Sequence, residues 1–156
     1  MIKRKSKTKT LKRRCNPRDH EQVSVNGKLV DKGIAPLLKL IWKHKIETTN
    51  SCEDNQPGLI WIEFLNMKNL TKFLNLIAKY PNKNEVFWKT MYSRIMGNSD
   101  EKDNWKYDIH PINWGVDEEI VDDEAIETFS GKHDIDFTIS VRFSKKEVPE
   151  IMKALK

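Results

Sequence analysis

Residues 135–143 alternate between apolar and polar side chains over nine positions. The apolar set is Ile135, Phe137, Ile139, Val141 and Phe143. The polar set between them is Asp136, Thr138, Ser140 and Arg142. Because successive side chains of a strand point to opposite faces of a sheet, this pattern predicts a strand with one buried face. A buried sheet face needs a second layer over it, so the chain must supply partner strands and covering helices.

The other apolar segments supply those elements. Helices are predicted over residues 32–45, 67–80, 85–96 and 145–155, with Asp31, Asn66 and Ser144 as N-caps of the first, second and fourth. Strands are predicted over residues 59–64 and 105–114, and Asn26-Gly27 predicts a hairpin turn. Residues 48–58 are predicted to form a polar loop, and residues 116–128 a short helix or a mobile acidic loop. The sequence therefore predicts an α+β fold with two layers, in which helices pack on one face of a small, mostly antiparallel sheet.

The charge of the chain is unevenly distributed. Residues 1–14 hold eight cations and no acidic residue: Lys3, Arg4, Lys5, Lys7, Lys9, Lys12, Arg13 and Arg14. The whole chain has 28 basic and 23 acidic residues; without these eight, 20 basic side chains face 23 acidic ones, a net charge of −3. This separation predicts a disordered basic arm over residues 1–22 and a single, slightly acidic domain over residues 23–156.

The cysteines and the hydropathy pattern indicate in which cellular compartment the protein is expected. Cys15 and Cys52 are too few for a disulfide framework, and reduced thiols inside a cell are the simpler expectation. The basic N-terminus is not followed by the apolar stretch of a secretory signal. No stretch is apolar enough to span a membrane. We therefore expect an intracellular protein without a membrane partner: in the host cytoplasm, nucleus or virion if it is viral.

The polar segment of residues 48–55 is the first candidate site, because it leads into a predicted strand. Asn50, Cys52 and Asp54 are its candidate ligand-binding residues. A thiol nucleophile at Cys52 needs a base, and no histidine is adjacent in sequence. His44, eight residues earlier at the end of the preceding predicted helix, is the candidate that can fold back, whereas His110 and His133 are distant in sequence. The alternative is a buried cysteine packed at a strand edge, with Asn and Asp side chains making turn hydrogen bonds. The scattered histidines give no paired ligand spacing, so no metal site is predicted.

A second candidate surface follows from strand alternation. Trp61 and Glu63 share one face of their predicted strand, and Thr138, Ser140 and Arg142 share one face of theirs. If the two strands are neighbours, these side chains form one polar face, which is either solvated or a small ligand surface. Solvation is the favoured interpretation. No pattern in the sequence identifies a cofactor, and the common nucleotide-binding and hydrolase motifs are absent.

Several segments resemble an uncharacterised family of small proteins from large DNA viruses of protists, with relatives in bacteria and phages. The matching stretches are DKGIAPLL from Asp31, ETTNSCED from Glu47, LIWIEF from Leu59 and ISVRF from Ile139. The resemblance spans roughly residues 29–78 and 135–155. It implies no activity, but it marks Asp31, Cys52 and Arg142 as the positions of interest.

A more remote resemblance is to the methyltransferase family of wybutosine synthesis. That family also places an Asp-led helix before a Thr-Thr-x-Ser-Cys turn and a strand. It continues after the cysteine with a small residue, Gly and Arg, whereas Glu53, Asp54 and Asn55 follow here. The resemblance therefore implies a related fold, and no S-adenosylmethionine site is carried over.

These observations favour a viral protein that associates with DNA or RNA through the basic arm. The same composition serves as a nuclear-localisation signal or as a solubilising tail. The alternatives are a ligand-binding or enzymatic domain centred on Asp31, Cys52, Glu63 and Arg142, and a virion assembly protein that contacts other virion proteins. The sequence distinguishes neither DNA from RNA nor one reaction from another.

Overall fold

The structure of the protein is a computed structural model. It describes residues 20–79, 86–113, 116–121, 124–129 and 135–156. The described strands are β1 Gln22–Val25, β2 Lys28–Asp31, β3 Thr48–Gln56, β4 Leu59–Phe64, β5 Lys106–Asn113, β6 Val116–Val121, β7 Glu124–Phe129 and β8 Ile135–Ser144. The α-helices are α1 Ala35–Lys43, α2 Met67–Ala78, α3 Met91–Ile95 and α4 Val148–Ala154, and two 3₁₀ turns cover Phe87–Lys89 and Lys145–Glu147.

The centre of the fold is a four-stranded sheet in the order β3-β4-β8-β5. Every pairing in it is antiparallel, and Ile62 lies opposite Val141 at its middle. β1 with β2, and β6 with β7, form separate two-stranded hairpins. The predicted α+β class with a small antiparallel sheet is confirmed. The strand with the strongest alternation in the sequence, β8, lies between two others and therefore pairs along both edges.

One face of this sheet packs against the helices. Helix α2 contacts both β4 and β8, and α4 contacts α1 and α2. Phe64 of β4 packs on Phe73 of α2 with ring centroids 5.2 Å apart, and Trp105 stacks on Phe143 of β8 at 4.5 Å. Aromatic side chains bury a large apolar area each, so these contacts contribute much of the core. The apolar residues of β4 and β8 belong to one core with those of α1, α2 and α4.

The predicted hairpin at Asn26-Gly27 is present. Both turn residues have positive φ angles, 51° and 79°, as a type I′ turn requires. The hairpin reaches further than the sequence suggests, because Gln22 pairs with Asp31. Residues 1–19, which include the eight cations of the basic arm, lie outside the described residues.

The predicted N-cap role of Asp31 is wrong. Asp31 ends β2, and helix α1 starts at Ala35 after an intervening turn, with Ile34 at the N-cap position. Pro36 lies in the first turn of the helix, where its missing N–H costs no hydrogen bond. The pairing of Asp31 with Gln22 therefore extends the hairpin. The Asp31 carboxylate accepts a hydrogen bond from the backbone N–H of Glu53 instead of capping the helix.

The predicted polar loop of residues 48–58 is also wrong, because most of it forms β3. Its side chains are mostly polar, yet its backbone pairs with β4 along the edge of the sheet. An edge strand exposes much of its surface to water, so it does not need the apolar alternation on which the sequence prediction relied. The tight connection at Pro57-Gly58 then joins β3 to β4, with Gly58 at a φ of 78°.

Three further predictions about secondary structure are corrected. The predicted helix of residues 85–96 is a 3₁₀ turn followed by the short α3, capped by Thr90. The acidic segment of residues 116–128 is a strand pair, β6 and β7, rather than a helix or loop. The first turn after β8 is 3₁₀, and Ser144 caps it in a reciprocal capping box with Glu147. Pro111 lies in β5 at the edge of the sheet, the position in which a strand tolerates a residue without a backbone N–H.

Glu147 does more than cap this turn. Its carboxylate accepts hydrogen bonds from Trp105 Nε1 at 3.1 Å and from Arg94 Nε at 2.5 Å. Burial raises the pKa of Glu147, and the Arg94 charge opposes that shift only in part. The folded state therefore holds the Glu147 proton more tightly than the unfolded state does.

We predict that Glu147→Ala costs about 1.5–3 kcal/mol, because hydrogen bonds from three donors to a carboxylate are lost. Since the pKa of Glu147 is raised on folding, its contribution is fully present below its unfolded value and declines as the pH rises through the folded value. The stability advantage of the wild type over Glu147→Ala should thus shrink as the pH rises above the ordinary pKa of a glutamate, as measured in urea titrations at a series of pH values. The more exposed Glu150→Gln is the control, and an advantage that grows with pH would contradict the prediction.

Candidate functional site

The candidate site lies where the β1–β2 hairpin meets the edge strand β3. Asp31, at the end of β2, and Cys52, in the middle of β3, are both buried, with 3% and 0% of their surface exposed. His20, just before β1, joins them. One ligand atom from each of these three residues lies within 4.8 Å of the other two. The fold therefore brings together two of the predicted site residues and one that was not predicted.

Glu53 connects the members of this cluster. Its backbone N–H donates a 3.1 Å hydrogen bond to Asp31 Oδ2, and its Oε1 lies 3.5 Å from His20 Nδ1. Its other carboxylate oxygen, Oε2, is buried and has no hydrogen-bond partner. A buried acceptor without a donor is uncommon in folded proteins and calls for a physical reason. We refer to His20, Asp31, Cys52 and Glu53 together as the hairpin cluster.

Glu53 reaches this place because β3 is irregular. The register against β4 shifts between Cys52 and Gln56, whose partners are Trp61 and Leu59. Three residues of β3 thus lie opposite the single residue Ile60 of β4. Bulges of this kind bend an edge strand and redirect its side chains. The carboxylate of Glu53 also lies directly over Gly33, where any Cβ atom would collide with it.

Cys52 is disulfide-bonded, and the sequence contains one other cysteine, Cys15, which lies outside the described residues. The expectation of reduced thiols is therefore wrong for this structure. A disulfide sulfur is not a thiolate, so the structure does not present Cys52 as a ready nucleophile. His44, considered above as its base, instead donates from Nε2 to the carbonyl oxygen of Leu155 at 2.7 Å.

Sequence reasoning missed His20 and Glu53. His20 falls in the segment assigned to the disordered arm, so its proximity to β3 had no local signal. Glu53 was noted only as a departure from a family pattern, because a loop prediction assigns no direction to its side chain.

Asn50 and Asp54, the other predicted residues of this segment, have local roles. Asn50 Oδ1 accepts a hydrogen bond from the N–H of Ser51 at 2.8 Å. Asp54 Oδ1 accepts one from the N–H of Gly58 at 2.7 Å, which stabilises the turn into β4. The turn function that the alternative interpretation gave to Asn and Asp side chains is thus confirmed for Asp54.

The predicted polar sheet face exists. Trp61 lies opposite Arg142, and Glu63 opposite Ser140, so these four side chains share the face away from the helices. The favoured interpretation of this face as solvated is wrong for Trp61, Thr138 and Ser140, which are buried. Trp61 Nε1 is buried without a hydrogen-bond partner. His110 Nε2 is within 3.1 Å of Ser140 Oγ, so this face contains a buried polar contact.

Arg142 and Glu63 are held apart from the hairpin cluster. Arg142 donates from Nε to Asn55 Oδ1 at 3.0 Å and forms an ion pair with Asp108 of β5. Glu63 Oε1 accepts a 2.6 Å hydrogen bond from Thr49. Cys52 and Arg142 flank Trp61 on neighbouring strands, which places their backbones about 10 Å apart. Asp31 and Cys52 therefore form one cluster, while Arg142 belongs to a second.

A separate groove lies beside α3 and α4. Its volume is about 460 Å³, and Arg94, Glu147 and Glu150 line it together with Trp88 and Lys146. Arg94 forms ion pairs with both glutamates, at 2.5 and 3.0 Å. Arg94, Glu147 and Glu150 are thus paired with one another, and we assign this network to stabilising the junction of α3 and α4.

The comparisons with known proteins point to viruses of protists. The chain is 28% identical over 128 residues to an uncharacterised protein of Acanthamoeba polyphaga mimivirus, an alignment that covers 80% of this chain and 59% of that protein. The chain thus spans less than two thirds of the length of its relative. No family model matches the sequence, and no solved structure matches it. The predicted likeness to proteins of protist viruses is supported, whereas bacterial relatives and the methyltransferase fold stay predictions.

Within the residues that the structure describes, no helix has the length and apolar character to cross a membrane.

Gly33→Ala tests whether Glu53 occupies the position described. A methyl group at Gly33 collides with the Glu53 carboxylate, so we predict a loss of roughly 1 kcal/mol in the free energy of unfolding, typical of mild overpacking. In a Glu53→Ala background the same substitution should cost almost nothing, because the colliding group is gone. Urea denaturation of the four variants measures this coupling; equal costs in both backgrounds would contradict the geometry.

Proposed function

We propose that the protein associates with nucleic acid through its basic N-terminal arm. The observation that supports this most directly is the separation of charge along the chain. Eight cations without an acidic residue lie in residues 1–14, whereas the rest of the chain has a net charge of −3. A polyanion is attracted to the arm and, on average, repelled by the remainder.

Residues 20 and 21, which follow the basic arm's cations, make specific contacts with the domain. Glu21 accepts a hydrogen bond from the Lys32 N–H at its carbonyl oxygen, 2.7 Å away, and its carboxylate pairs with the Lys32 ammonium at 2.9 Å. His20 lies against Cys52 and Glu53. Residues 20 and 21, which follow the eight cations in the sequence, are thus held against the domain.

The expected binding mode is electrostatic and independent of base sequence. Each phosphate neutralised by Lys or Arg releases condensed counterions, so binding weakens steeply as salt is added. The domain itself would then serve for contact with other molecules, and association with virion proteins stays a prediction. Nuclear targeting and solubility, the alternatives for the arm, require no such salt-dependent affinity.

We predict that replacing Lys3, Lys5, Lys7 and Lys9 by Ala makes the salt dependence less steep. On duplex DNA, the negative slope of the logarithm of the binding constant against the logarithm of the salt concentration should decrease in magnitude by roughly 3 to 4, close to 0.9 per lost contact. Fluorescence anisotropy with labelled duplex DNA, single-stranded DNA and RNA, from about 50 to about 300 mM salt, measures it. Comparing the three probes shows which nucleic acid is preferred.

The matched control removes the same charge from the domain. Lys39, Lys43, Lys68 and Lys153 are exposed on three helices, and their replacement by Ala should leave the slope nearly unchanged. Wild-type affinity that does not depend on salt, or an equal loss in the two variants, would refute binding through the arm.

A further inference from the structure

The hairpin cluster combines nitrogen, oxygen and sulfur ligands at the separation that a metal ion requires. We propose that His20, Asp31 and Cys52 bind one zinc ion when the disulfide of Cys52 is reduced. The three ligands belong to the described residues, whereas the nucleic-acid proposal concerns the cations of residues 1–14.

The distances fit a tetrahedral zinc ion. Cys52 Sγ lies 3.8 Å from His20 Nε2. Zinc bonds to sulfur and nitrogen at a tetrahedral angle place those two atoms roughly 3.6 Å apart. The ligand oxygen of Asp31 is within 4.8 Å of both. Shifts of about an ångström in three side chains therefore suffice to close the site around an ion.

His20 is oriented as a metal ligand. Its Nε2 faces Cys52, while its Nδ1 lies 3.5 Å from the Glu53 carboxylate. Metal-bound histidines usually donate their second ring N–H to a carboxylate or carbonyl group, which fixes the tautomer and the ring orientation. The Glu53 carboxylate is placed to accept that hydrogen bond, and the Glu53 backbone N–H already donates one to Asp31. It therefore acts as a positioning residue for two of the three ligands.

Burial gives an electrostatic reason for a cation. Asp31 has only 3% of its surface exposed, and Glu53 Oε2 is buried without a hydrogen-bond partner. Buried carboxylates are costly unless a positive charge or a hydrogen bond compensates them. A reduced Cys52 would add a thiolate to the same volume. A divalent cation among these groups offsets that concentration of negative charge.

The donor set selects zinc among the common divalent ions. Magnesium and calcium prefer oxygen ligands, whereas a thiolate and an imidazole suit zinc. Three protein ligands leave the fourth tetrahedral position open to another donor such as water.

The disulfide makes the site dependent on redox state. Two thiols of a small-molecule reductant supply two electrons and two protons; the Cys52 disulfide bond breaks to give two cysteine thiols, and the reductant is oxidised to its own disulfide. The Cys52 thiol then releases its proton to solvent as the thiolate binds zinc. A small-molecule disulfide reverses the reaction: it accepts two electrons from the two cysteines, takes up two protons from the second cysteine and from solvent, and leaves as two thiols, while the Cys52 disulfide re-forms and the zinc ion is released.

The test compares reduced and oxidised full-length protein in zinc titrations with a chromogenic chelator. Reduced wild type should retain about one equivalent of zinc per chain and oxidised wild type almost none. Cobalt as a spectroscopic substitute should give a thiolate-to-metal charge-transfer band in the reduced protein alone. Circular dichroism shows that each sample is folded.

His20→Ala, Asp31→Asn and Cys52→Ser should each abolish stoichiometric binding. His110→Ala and Asp103→Asn, which change the same residue types away from the hairpin cluster, should bind as the wild type does. Asp31→Asn preserves the side-chain shape, so its effect is read even if another variant misfolds. Glu53→Gln should keep the stoichiometry but weaken the affinity by about 10–100-fold, as expected for an orienting partner.

Cys15→Ser tests the redox dependence, because without the second cysteine no disulfide can form within the chain. It should bind zinc with no reductant present. Folded, reduced wild type that binds no zinc would overturn the proposal, as would zinc binding that persists in Asp31→Asn or Cys52→Ser. Equal zinc binding by oxidised and reduced wild type would overturn its redox dependence.

Discussion

The antiparallel pairing of β4 with β8 is the interaction on which the rest of the structure depends. It places the apolar faces of the two strands side by side, with Ile62 opposite Val141 and Ile60 opposite Phe143. The helices pack on that apolar surface. The same register places Trp61 beside Arg142 and Glu63 beside Ser140 on the other face. One set of backbone hydrogen bonds thus decides both where the core lies and which polar side chains become neighbours.

The edge strand β3 connects this sheet to the hairpin cluster. Its bulge after Cys52 directs Glu53 toward the β1–β2 hairpin, where Gly33 leaves room for the carboxylate. An edge strand tolerates such an irregularity because its outer side has no partner strand to satisfy. The cluster therefore combines residues from the end of one hairpin, the segment before it and a bulged edge, which lie up to 33 positions apart in the chain. The hairpin cluster and the polar face of the sheet both lie next to β3 or β4, outside the helical layer.

The arm and the hairpin cluster meet at His20. Residues before it hold the cations, and residues after it enter β1. His20 contacts Cys52 and Glu53 of β3, so the proposed zinc ligands include a residue only six positions after Arg14, the last of the eight cations. The likeness to a mimivirus protein extends over most of the chain and thus includes much of the folded domain.

The sequence by itself determined the elements whose signals are local. Alternation identified β8, the Asn26-Gly27 pair identified the first hairpin, and Ser144 identified the turn that leads into the last helix; each depends on residues only a few positions apart. It also determined the face shared by Trp61 and Arg142, once those strands were assumed to be neighbours. It failed for β3 and for the β6–β7 pair, because polar strands obtain their order from backbone pairing with a partner that local patterns do not reveal. Asp31 and Cys52 were predicted to share a site with Glu63 and Arg142, but the tertiary structure places them with His20 and Glu53 instead. The reason is that strand pairing and the bulge, rather than sequence spacing, set the distances between side chains from three different segments.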